Sequence, residues 1–359
     1  MCKEIRCTTM FKGDVAMSDI KLDGHKLNLH PIEVGNWLSG GMVYPIEVEI
    51  SLTAKCNHRC VFCALDYTPH KDALKQTDVE HVLVRMKNRG LKSVVFAGEG
   101  EPLLHPNIIG ICQYAWSIGL DVGLSTNGVL LTDSLADKLL KYLKWIRFSV
   151  GGYSPDTYAK IHSCKESDSD TAYHAIKYAK ELDKCVVGVQ TVLLDDNFYD
   201  VYDIKDWCDS VGVDYYTVKP FSKHPMSDSN FDLTIDYTKM EEIFEASDQS
   251  KTKFIFRSEA MSNKGKTRGY NMCHGIDLMT YISSDGNIYP CIAYAGNFKM
   301  AYGNITKYGF DQIWESVQKQ EIVEKINCGL KGCRELCRLD NMNKYLHRLK
   351  HPQAHDNFI

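Results

Sequence analysis

The chain has 359 residues, with 42 Lys and Arg against 46 Asp and Glu and a formal net charge of −4. This near-neutral balance argues against a protein built around nucleic acid or a polybasic membrane surface. Hydrophobic (44%) and charged (25%) fractions are ordinary for globular proteins and exclude wholesale disorder. We find no apolar run long enough for a membrane helix and no secretory signal, so we expect a cytoplasmic location.

Strand-like and helix-like segments alternate between about residues 46 and 219. The six predicted strands are 45–52, 92–98, the first part of 120–128, 145–150, 185–194 and 213–220. Helices are predicted at 77–89, 105–119, 131–143, 155–183, 198–212 and 236–248. Alternation at this spacing predicts an α/β fold with a parallel sheet. A partial (βα)6 TIM-like barrel fits the count, and a flat doubly wound sheet is the alternative.

The amino-acid composition of the sequence changes towards the C-terminus. Residues 269–340 are rich in Gly and Cys, and Asp285-Gly286 predicts a hairpin turn within 281–291. We therefore divide the chain into an N-terminal lead-in (1–45), a partial barrel (46–250) and a small Cys-rich extension with the C-terminal tail (251–359).

Cysteine is unusually frequent, with 14 residues, and three of them follow the first predicted strand. Cys56, Cys60 and Cys63 have the spacing C-x3-C-x2-C, and clustered cysteines without a secretory signal favour metal or redox chemistry. Three thiolates on one loop can hold three corners of a 4Fe-4S cluster and leave one iron open. Zinc is the alternative, with His58 or His70 as the nitrogen ligand, although this spacing is unusual for zinc loops.

The cysteine loop resembles that of a known family. Its C-x3-C-x-aromatic-C pattern, with Phe62 before the last cysteine, is similar to the motif of the radical S-adenosylmethionine (SAM) superfamily. The resemblance extends over roughly residues 46–220. It implies that the open iron binds the amino and carboxylate groups of SAM and that reductive cleavage yields a 5′-deoxyadenosyl radical, which abstracts a hydrogen atom. A flavodoxin- or ferredoxin-type electron donor is also implied.

Two further segments resemble the SAM-binding strand ends of the same family. In GEGEP (98–102), Gly98 and Gly100 allow a close approach of the backbone, and Glu101 is a candidate partner of the methionyl ammonium. Glu99 departs from the common GGEP form. STNG (125–128) resembles the ribose-binding segment. The cofactor contacts implied in this way are Phe62, Gly98, Gly100, Glu101, Ser125, Asn127, Ser149 and Gln190, the last of which could equally be a core amide.

A second group of cysteines lies near the C-terminus: Cys273, Cys291, Cys328, Cys333 and Cys337. A zinc ribbon or a set of reduced structural thiols is the alternative interpretation of such a group. The unit C-x12-G-x4-C resembles the start of the SPASM/twitch extension, which implies an auxiliary 4Fe-4S cluster. The full SPASM pattern has seven cysteines and two clusters, so five favour the shorter twitch form with one cluster. Cys273 and Cys291 are the firmest ligands, Cys333 and Cys337 come next because they match the C-x3-C end of the pattern, and Cys328 is the alternative to one of them.

These features predict a radical SAM enzyme acting on a small polar substrate, such as a sugar, a sugar nucleotide or an aminocyclitol. Oxidation, epimerisation and elimination all remain possible outcomes. The alternative is a maturase of a ribosomal peptide or of a protein side chain. Lys219 and Arg257, with Lys223 and His224, offer cations for a phosphate or carboxylate, unless they are solvated surface. Cys164 would approach the barrel mouth only if the predicted helix 155–183 is broken.

Overall fold

The computed structural model describes residues 24–69, 71–231, 234, 236–246, 250–263, 266–330 and 333–358. The strands are β1 (Glu47–Ile50), β2 (Ser93–Phe96), β3 (Asp121–Thr126), β4 (Trp145–Ser149), β5 (Val186–Leu193), β6 (Tyr215–Pro220), β7 (Lys253–Phe256), β8 (Met279–Ile282), β9 (Asn287–Tyr289) and β10 (Gly303–Asn304). Among the described residues they form one sheet in the order β10-β9-β8-β1-β2-β3-β4-β5-β6-β7. All six predicted strands are present in this sheet.

The helices lie mainly between the strands. They are α1 (Pro31–Leu38), α2 (Gln76–Asn88), α3 (Ile108–Ser117), α4 (Asp133–Leu139), α5 (Pro155–His162), α6 (Ser167–Leu182), α7 (Asp200–Val211), α8 (Thr238–Glu245), α9 (Ser258–Ser262), α10 (Phe310–Trp314), α11 (Val317–Asn327) and α12 (Asp340–Lys350). The prediction of one helix over 155–183 was wrong: α5 ends at His162, because Ser163 adopts a left-handed conformation with φ +47°. The end of the predicted helix 236–248 lies outside the described residues.

The order of the strands decides between the two predicted architectures. Strands β1 to β7 lie side by side in chain order, and each neighbouring pair is parallel. A doubly wound sheet reverses its strand order at a switch point, and this sheet does not. Strands β7 and β10 stand at opposite ends of the sheet, so within the described part of the chain the barrel is partial.

The sheet extends beyond the predicted strands on both sides. Strand β7 pairs parallel with β6, and β8 pairs parallel with β1, with Glu49 opposite Tyr281. Strands β8 and β9 form the predicted antiparallel hairpin, whose turn contains Gly286 at φ +86°. The Cys-rich extension is therefore continuous with the barrel sheet along β1, the strand that precedes the first cysteine loop.

Residues on the two faces of the sheet alternate in character. Leu124, Phe148 and Val218 are buried in the main hydrophobic core, and full burial of such a side chain stabilises the fold by about 1.5–3 kcal/mol. Side chains alternate between the two faces along each strand, and the strand register aligns them with the side chains of the neighbouring strands. A set of polar residues therefore lies together on the opposite face of the sheet, which we call the inner polar face. Its members are Ser125, Arg147, Ser149, Gln190, Thr217 and Lys219. None of the described helices has the length and apolar character needed to cross a membrane.

Candidate active site and cysteine clusters

The loop that carries Cys56, Cys60 and Cys63 is held by the end of helix α5. The Arg59 N–H donates to the His162 carbonyl (3.1 Å), and the Val61 N–H donates to the Ile161 carbonyl (3.0 Å). The last carbonyls of a helix have no partner within the helix, and here the loop amides satisfy two of them. The end of α5 at His162 therefore provides the backbone carbonyls that bind the first cysteine loop.

The three thiols of this loop are free and half-buried. Burial raises the pKa of Cys56, Cys60 and Cys63, and the charge of neighbouring thiols raises it further for Cys56 and Cys60. A positively charged metal centre is the partner that would allow several buried thiols to ionise together. The donor set therefore fits a three-thiolate cluster.

The spacing of the sulfur atoms argues against zinc. Two sulfurs on one zinc ion are at most about 4.6 Å apart, because each Zn–S bond is about 2.3 Å long. Among the described residues, no three cysteines bring their sulfur atoms within 4.8 Å of one another. His58 offers a ring nitrogen within 4.8 Å of Cys60 Sγ and of a His162 ring nitrogen, and its Nε2 also lies 3.3 Å from Oδ2 of Asp168, so the group around it contains only one of the three cysteines of the loop. His70, the other predicted zinc ligand, lies outside the described residues.

The GEGEP segment after β2 lies directly against the loop after β1. A Cβ on Gly100 would stand 2.3 Å from the Lys55 carbonyl oxygen and 2.4 Å from that of Thr53. The Glu101 N–H also donates to the Lys55 carbonyl, over 2.9 Å. Gly98 has φ +125°, and a Cβ there would meet the Tyr281 hydroxyl at 2.7 Å. Only glycine fits at Gly98 and Gly100. These two glycines therefore allow the GEGEP segment to pack against the backbone that precedes Cys56.

The buried Glu101 carboxylate joins the ends of β2 and β3. Its Oε1 accepts from the Thr126 hydroxyl (2.6 Å) and the Leu103 N–H (3.0 Å), and its Oε2 accepts from the Asn127 N–H (2.8 Å). Burial raises the pKa of this carboxyl, while the three donors counteract that rise. The carboxylate is thus engaged within the protein, and its role towards a methionyl ammonium stays a prediction.

Asn127 links the STNG segment to the first cysteine loop. Its Nδ2 donates to Oδ1 of Asn57, which stands between Cys56 and Cys60, over 2.8 Å. Its Oδ1 accepts from the Val129 N–H at 3.1 Å and fixes the orientation of the amide. The ends of β1, β2 and β3 are therefore connected by side chains of the predicted motifs.

Three other predicted contacts lie on the inner polar face. Ser149 is opposite Gln190, and Gln190 is opposite Thr217, which makes a row of polar side chains across β4, β5 and β6. Ser125 occupies the same face on β3. Phe62 lies nearer the cysteine loop, where its ring meets that of His162 edge-on at 5.8 Å.

Glu99, the departure from the GGEP form, contacts the Cys-rich extension. Its Oε2 accepts from the Ser284 N–H (2.8 Å) in the turn between β8 and β9, and its own N–H donates to the Ser51 hydroxyl (3.0 Å). Sequence reasoning did not assign this buried carboxylate a role. It connects the GEGEP segment to the hairpin of the extension.

Four of the five C-terminal cysteines converge. The charges of Cys273 and Cys333 add to burial in raising the pKa of Cys291 to about 12. A hydrogen bond from the Cys337 thiol, together with the charge of Arg268, lowers the pKa of Cys333 to about 6. Cys328 is exposed at the end of α11 and is not among the groups that perturb these thiols. The four converging thiols fit the ligand set of one iron–sulfur cluster.

Hydrogen-bond donors surround these four thiols. Nη1 of Arg268 donates to Cys333 Sγ at 3.0 Å, and Nδ2 of the buried Asn343 donates to Cys273 Sγ at 3.3 Å. The Leu339 N–H donates to Cys337 Sγ, also at 3.3 Å. Donors of this kind stabilise negative charge on sulfur, as bound thiolates require. None of the three was assigned from the sequence.

Cationic side chains gather at the end of β6. Burial, together with the charges of Arg147, Arg257 and Arg334, lowers the pKa of Lys219 to about 7. Arg334 is anchored there, because its Nε and Nη2 donate to the hydroxyl (2.9 Å) and carbonyl (2.8 Å) of Ser222. Arg147 and Arg334 were missed by sequence reasoning.

The other two cations expected near β6 do not join this group. Lys223 is exposed. His224 is buried, and its Nδ1 accepts from the Met226 N–H (3.1 Å), so its hydrogen is on Nε2 and faces the Ile292 carbonyl (3.2 Å). Burial lowers the pKa of His224, and it is a neutral structural residue.

Comparison with known proteins gives two family matches. The radical SAM superfamily model matches residues 50–208, and the iron–sulfur cluster-binding SPASM model matches residues 273–338. An AdoMet-dependent heme synthase from Methanosarcina barkeri is 24% identical over 321 residues, which cover 82% of this chain and 90% of the relative.

Two further similarities extend this comparison. An S-adenosylmethionine-dependent nucleotide dehydratase from Selenomonas ruminantium is 26% identical over 154 residues, covering 41% of this chain and 56% of the relative. The structure of Streptococcus suis SuiB bound to S-adenosylmethionine is similar in fold, with a TM-score of 0.65 at 19% identity over 87% of this chain and 76% of that one. The chain therefore belongs to the radical SAM superfamily and carries a C-terminal SPASM iron–sulfur domain.

Proposed function

We propose that this radical SAM enzyme abstracts a hydrogen atom from a small polar substrate that carries a phosphate or carboxylate, such as a sugar phosphate or a sugar nucleotide. The outcome would be an oxidation, an epimerisation or an elimination. The observation that carries the proposal is the group of cations around Lys219, which we call the cationic group and define as Arg147, Lys219, Arg257 and Arg334.

Electrostatics favours an anionic ligand beside the cationic group. The charges with the largest effect on Lys219 are three arginines, and the Lys219 ammonium has no hydrogen-bond or ion-pair partner among the described residues. Holding like charges together in a partly buried place is unfavourable, because each is partly desolvated and repels the others. A bound phosphate or carboxylate would remove that penalty through charge-assisted hydrogen bonds.

The inner polar face supplies further contacts for a hydroxylated substrate. The Thr217 hydroxyl and Nε of Arg147 are buried without a hydrogen-bond partner among the described residues. Buried polar atoms normally have partners, so these two support a ligand in that place. Ser149 and Gln190 stand in register with Thr217 and add acceptors and donors.

The cationic group also borders the second group of thiols. Arg334 lies between Cys333 and Cys337 in the chain, and the charges of Cys291 and Cys337 partly offset the fall that burial causes in its pKa. When bound, the first cluster and SAM supply the reductive cleavage that starts the reaction, for which we propose a flavodoxin- or ferredoxin-type electron donor. The chain's own residues then bind the anionic group, orient the reacting carbon and exclude water.

The names of the relatives leave the substrate class open. One relative is a nucleotide dehydratase, which suits a phosphate-bearing substrate, although this chain spans only 56% of it. SuiB, crystallised with a precursor peptide, is similar in fold alone at 18% identity. A peptide with acidic side chains could use the same cations, so peptide maturation is the second outcome of the test below.

The test compares Lys219→Met with Lys223→Met, which removes an exposed lysine four residues later in the chain that is not part of the inner polar face. Reconstituted wild-type enzyme is screened by mass spectrometry against sugar phosphates, sugar nucleotides and acidic peptides, with 5′-deoxyadenosine as the measure of turnover. For a small anionic substrate that is turned over, Lys219→Met should raise KM at least about tenfold, since a charge-assisted hydrogen bond contributes about 1.5–3 kcal/mol. Lys223→Met should leave it unchanged.

Two results would contradict the proposal. Turnover of peptides and of no small anion would favour the maturase alternative. Equal KM values for the wild type and the Lys219 variant would mean that the cationic group does not bind the substrate.

A further inference from the structure

The His162 side chain donates a hydrogen bond to a cysteine of the first cluster. It is completely buried at the end of α5, where Nε2 accepts from the Gly151 N–H over 2.8 Å. An imidazole nitrogen that accepts a hydrogen bond carries no hydrogen, so the hydrogen must be on Nδ1. Nδ1 lies 3.2 Å from Cys60 Sγ. The contact is therefore an N–H donor aimed at the sulfur of a cysteine in the radical SAM motif.

The surroundings hold the His162 ring in this one orientation. A Cβ on Gly151 would stand 2.4 Å from Ile161 Cγ2 and 3.0 Å from His162 Nε2, so a larger residue would displace the donor that fixes the ring. The rings of Tyr158 and Phe62 pack at centroid distances of 4.4 and 5.8 Å. The backbone of the same turn binds the cysteine loop through the carbonyls of Ile161 and His162. Ring and loop are thus positioned by one element.

We propose that His162 raises the reduction potential of the first iron–sulfur cluster through this hydrogen bond to Cys60. Reduction adds negative charge that spreads onto the sulfur atoms, and an N–H dipole directed at one of them stabilises the reduced form more than the oxidised form. His162 is in this sense a positioning and tuning residue, and the proposal does not depend on which substrate is used.

Two isosteric replacements separate the donor from the packing of the ring. In His162→Asn, the amide nitrogen can occupy the place of Nδ1 and still donate to Cys60, while the Gly151 N–H loses its acceptor. In His162→Gln, the amide oxygen can occupy the place of Nε2 and still accept from Gly151, while Cys60 loses its donor. Both variants remove the imidazole, so any effect of the lost ring is common to them.

The readout is a potentiometric EPR titration of the anaerobically reconstituted enzyme. The first cluster is identified by the change of its signal when SAM is added, and the auxiliary cluster serves as an internal reference. We expect His162→Gln to lower the reduced fraction of the first cluster about tenfold at a fixed potential, which is about 59 mV for one electron. His162→Asn should stay close to the wild type, and the auxiliary potential should not move in either variant.

An unchanged potential in His162→Gln, or equal shifts in the two variants, would overturn the proposal. If neither variant retains the first cluster, the wild type labelled with ¹⁵N-histidine decides instead. Pulsed EPR of its reduced first cluster must then show a weakly coupled histidine nitrogen, and the absence of that coupling would contradict the hydrogen bond.

Discussion

Gly100→Ala tests the close approach of the loops after β1 and β2. The added methyl would lie 2.3 Å from the Lys55 carbonyl oxygen, whereas ordinary contact begins at 3.4 Å. Both loops must therefore separate by about an ångström, and the 2.9 Å hydrogen bond from Glu101 to Lys55 is lost. Overpacking of about 1–3 kcal/mol and a hydrogen bond of about 1 kcal/mol together lower the free energy of unfolding by about 2–4 kcal/mol.

The assay is urea unfolding followed by circular dichroism, with the iron content measured on the same preparation. Gly35→Ala is the matched control, because Gly35 lies in α1 with nothing within 4 Å of the new methyl. In a helix that change should stabilise by about 0.5–1 kcal/mol. A Gly100→Ala protein that unfolds at the wild-type urea concentration and keeps the iron of the first cluster would refute the reasoning.

Three further predictions concern the cofactors and the cationic group. Glu101→Gln leaves one of the three donors around the carboxylate unsatisfied and should weaken SAM binding by about one to two decades, as measured by equilibrium dialysis. Unchanged affinity would mean that the GEGEP segment is a turn without a role in SAM binding. Cys328→Ser should keep the wild-type iron content, whereas Cys291→Ser should lose the auxiliary cluster; the reverse result in an iron assay would contradict the four-thiol set. The KM for an anionic substrate should rise as the pH passes above about 7, because the Lys219 ammonium loses its proton there, and a KM that is flat across this range would contradict its role.

The parallel sheet could be predicted because its strands are short apolar runs between helical segments, as at 92–98 and 185–194. Strand β7 could not, since its four residues stand among polar neighbours and are only recognisable as a strand beside β6. The pairing of β8 with β1 joins segments more than 200 residues apart, and no local pattern specifies such a contact. The position of the Cys-rich extension beside the barrel therefore depends on this long-range strand pairing.

The cysteine sites were predictable in outline because few residue types bind iron and their spacing is distinctive. The spacing C-x4-C-x3-C favoured Cys333 and Cys337 but left Cys328 as an alternative to one of them, and it is the folded chain that shows Cys328 exposed. The role of His162 had no signal, since the helix break at Ser163 occurs without Gly or Pro. After that break, Cys164 lies close enough to Cys60 for its charge to raise the pKa of the Cys60 thiol, and a broken helix was the condition under which the sequence predicted that Cys164 would approach the barrel mouth.

Reductive cleavage of SAM at the first cysteine loop is tested most directly by changing Cys56, Cys60 and Cys63 together to Ala. Reconstituted wild-type protein should hold about eight irons in two 4Fe-4S clusters and release 5′-deoxyadenosine when reduced in the presence of SAM. The triple variant should hold about four irons, at the C-terminal thiols, and release none. Release of 5′-deoxyadenosine by the triple variant at the wild-type rate would contradict the assignment of this loop.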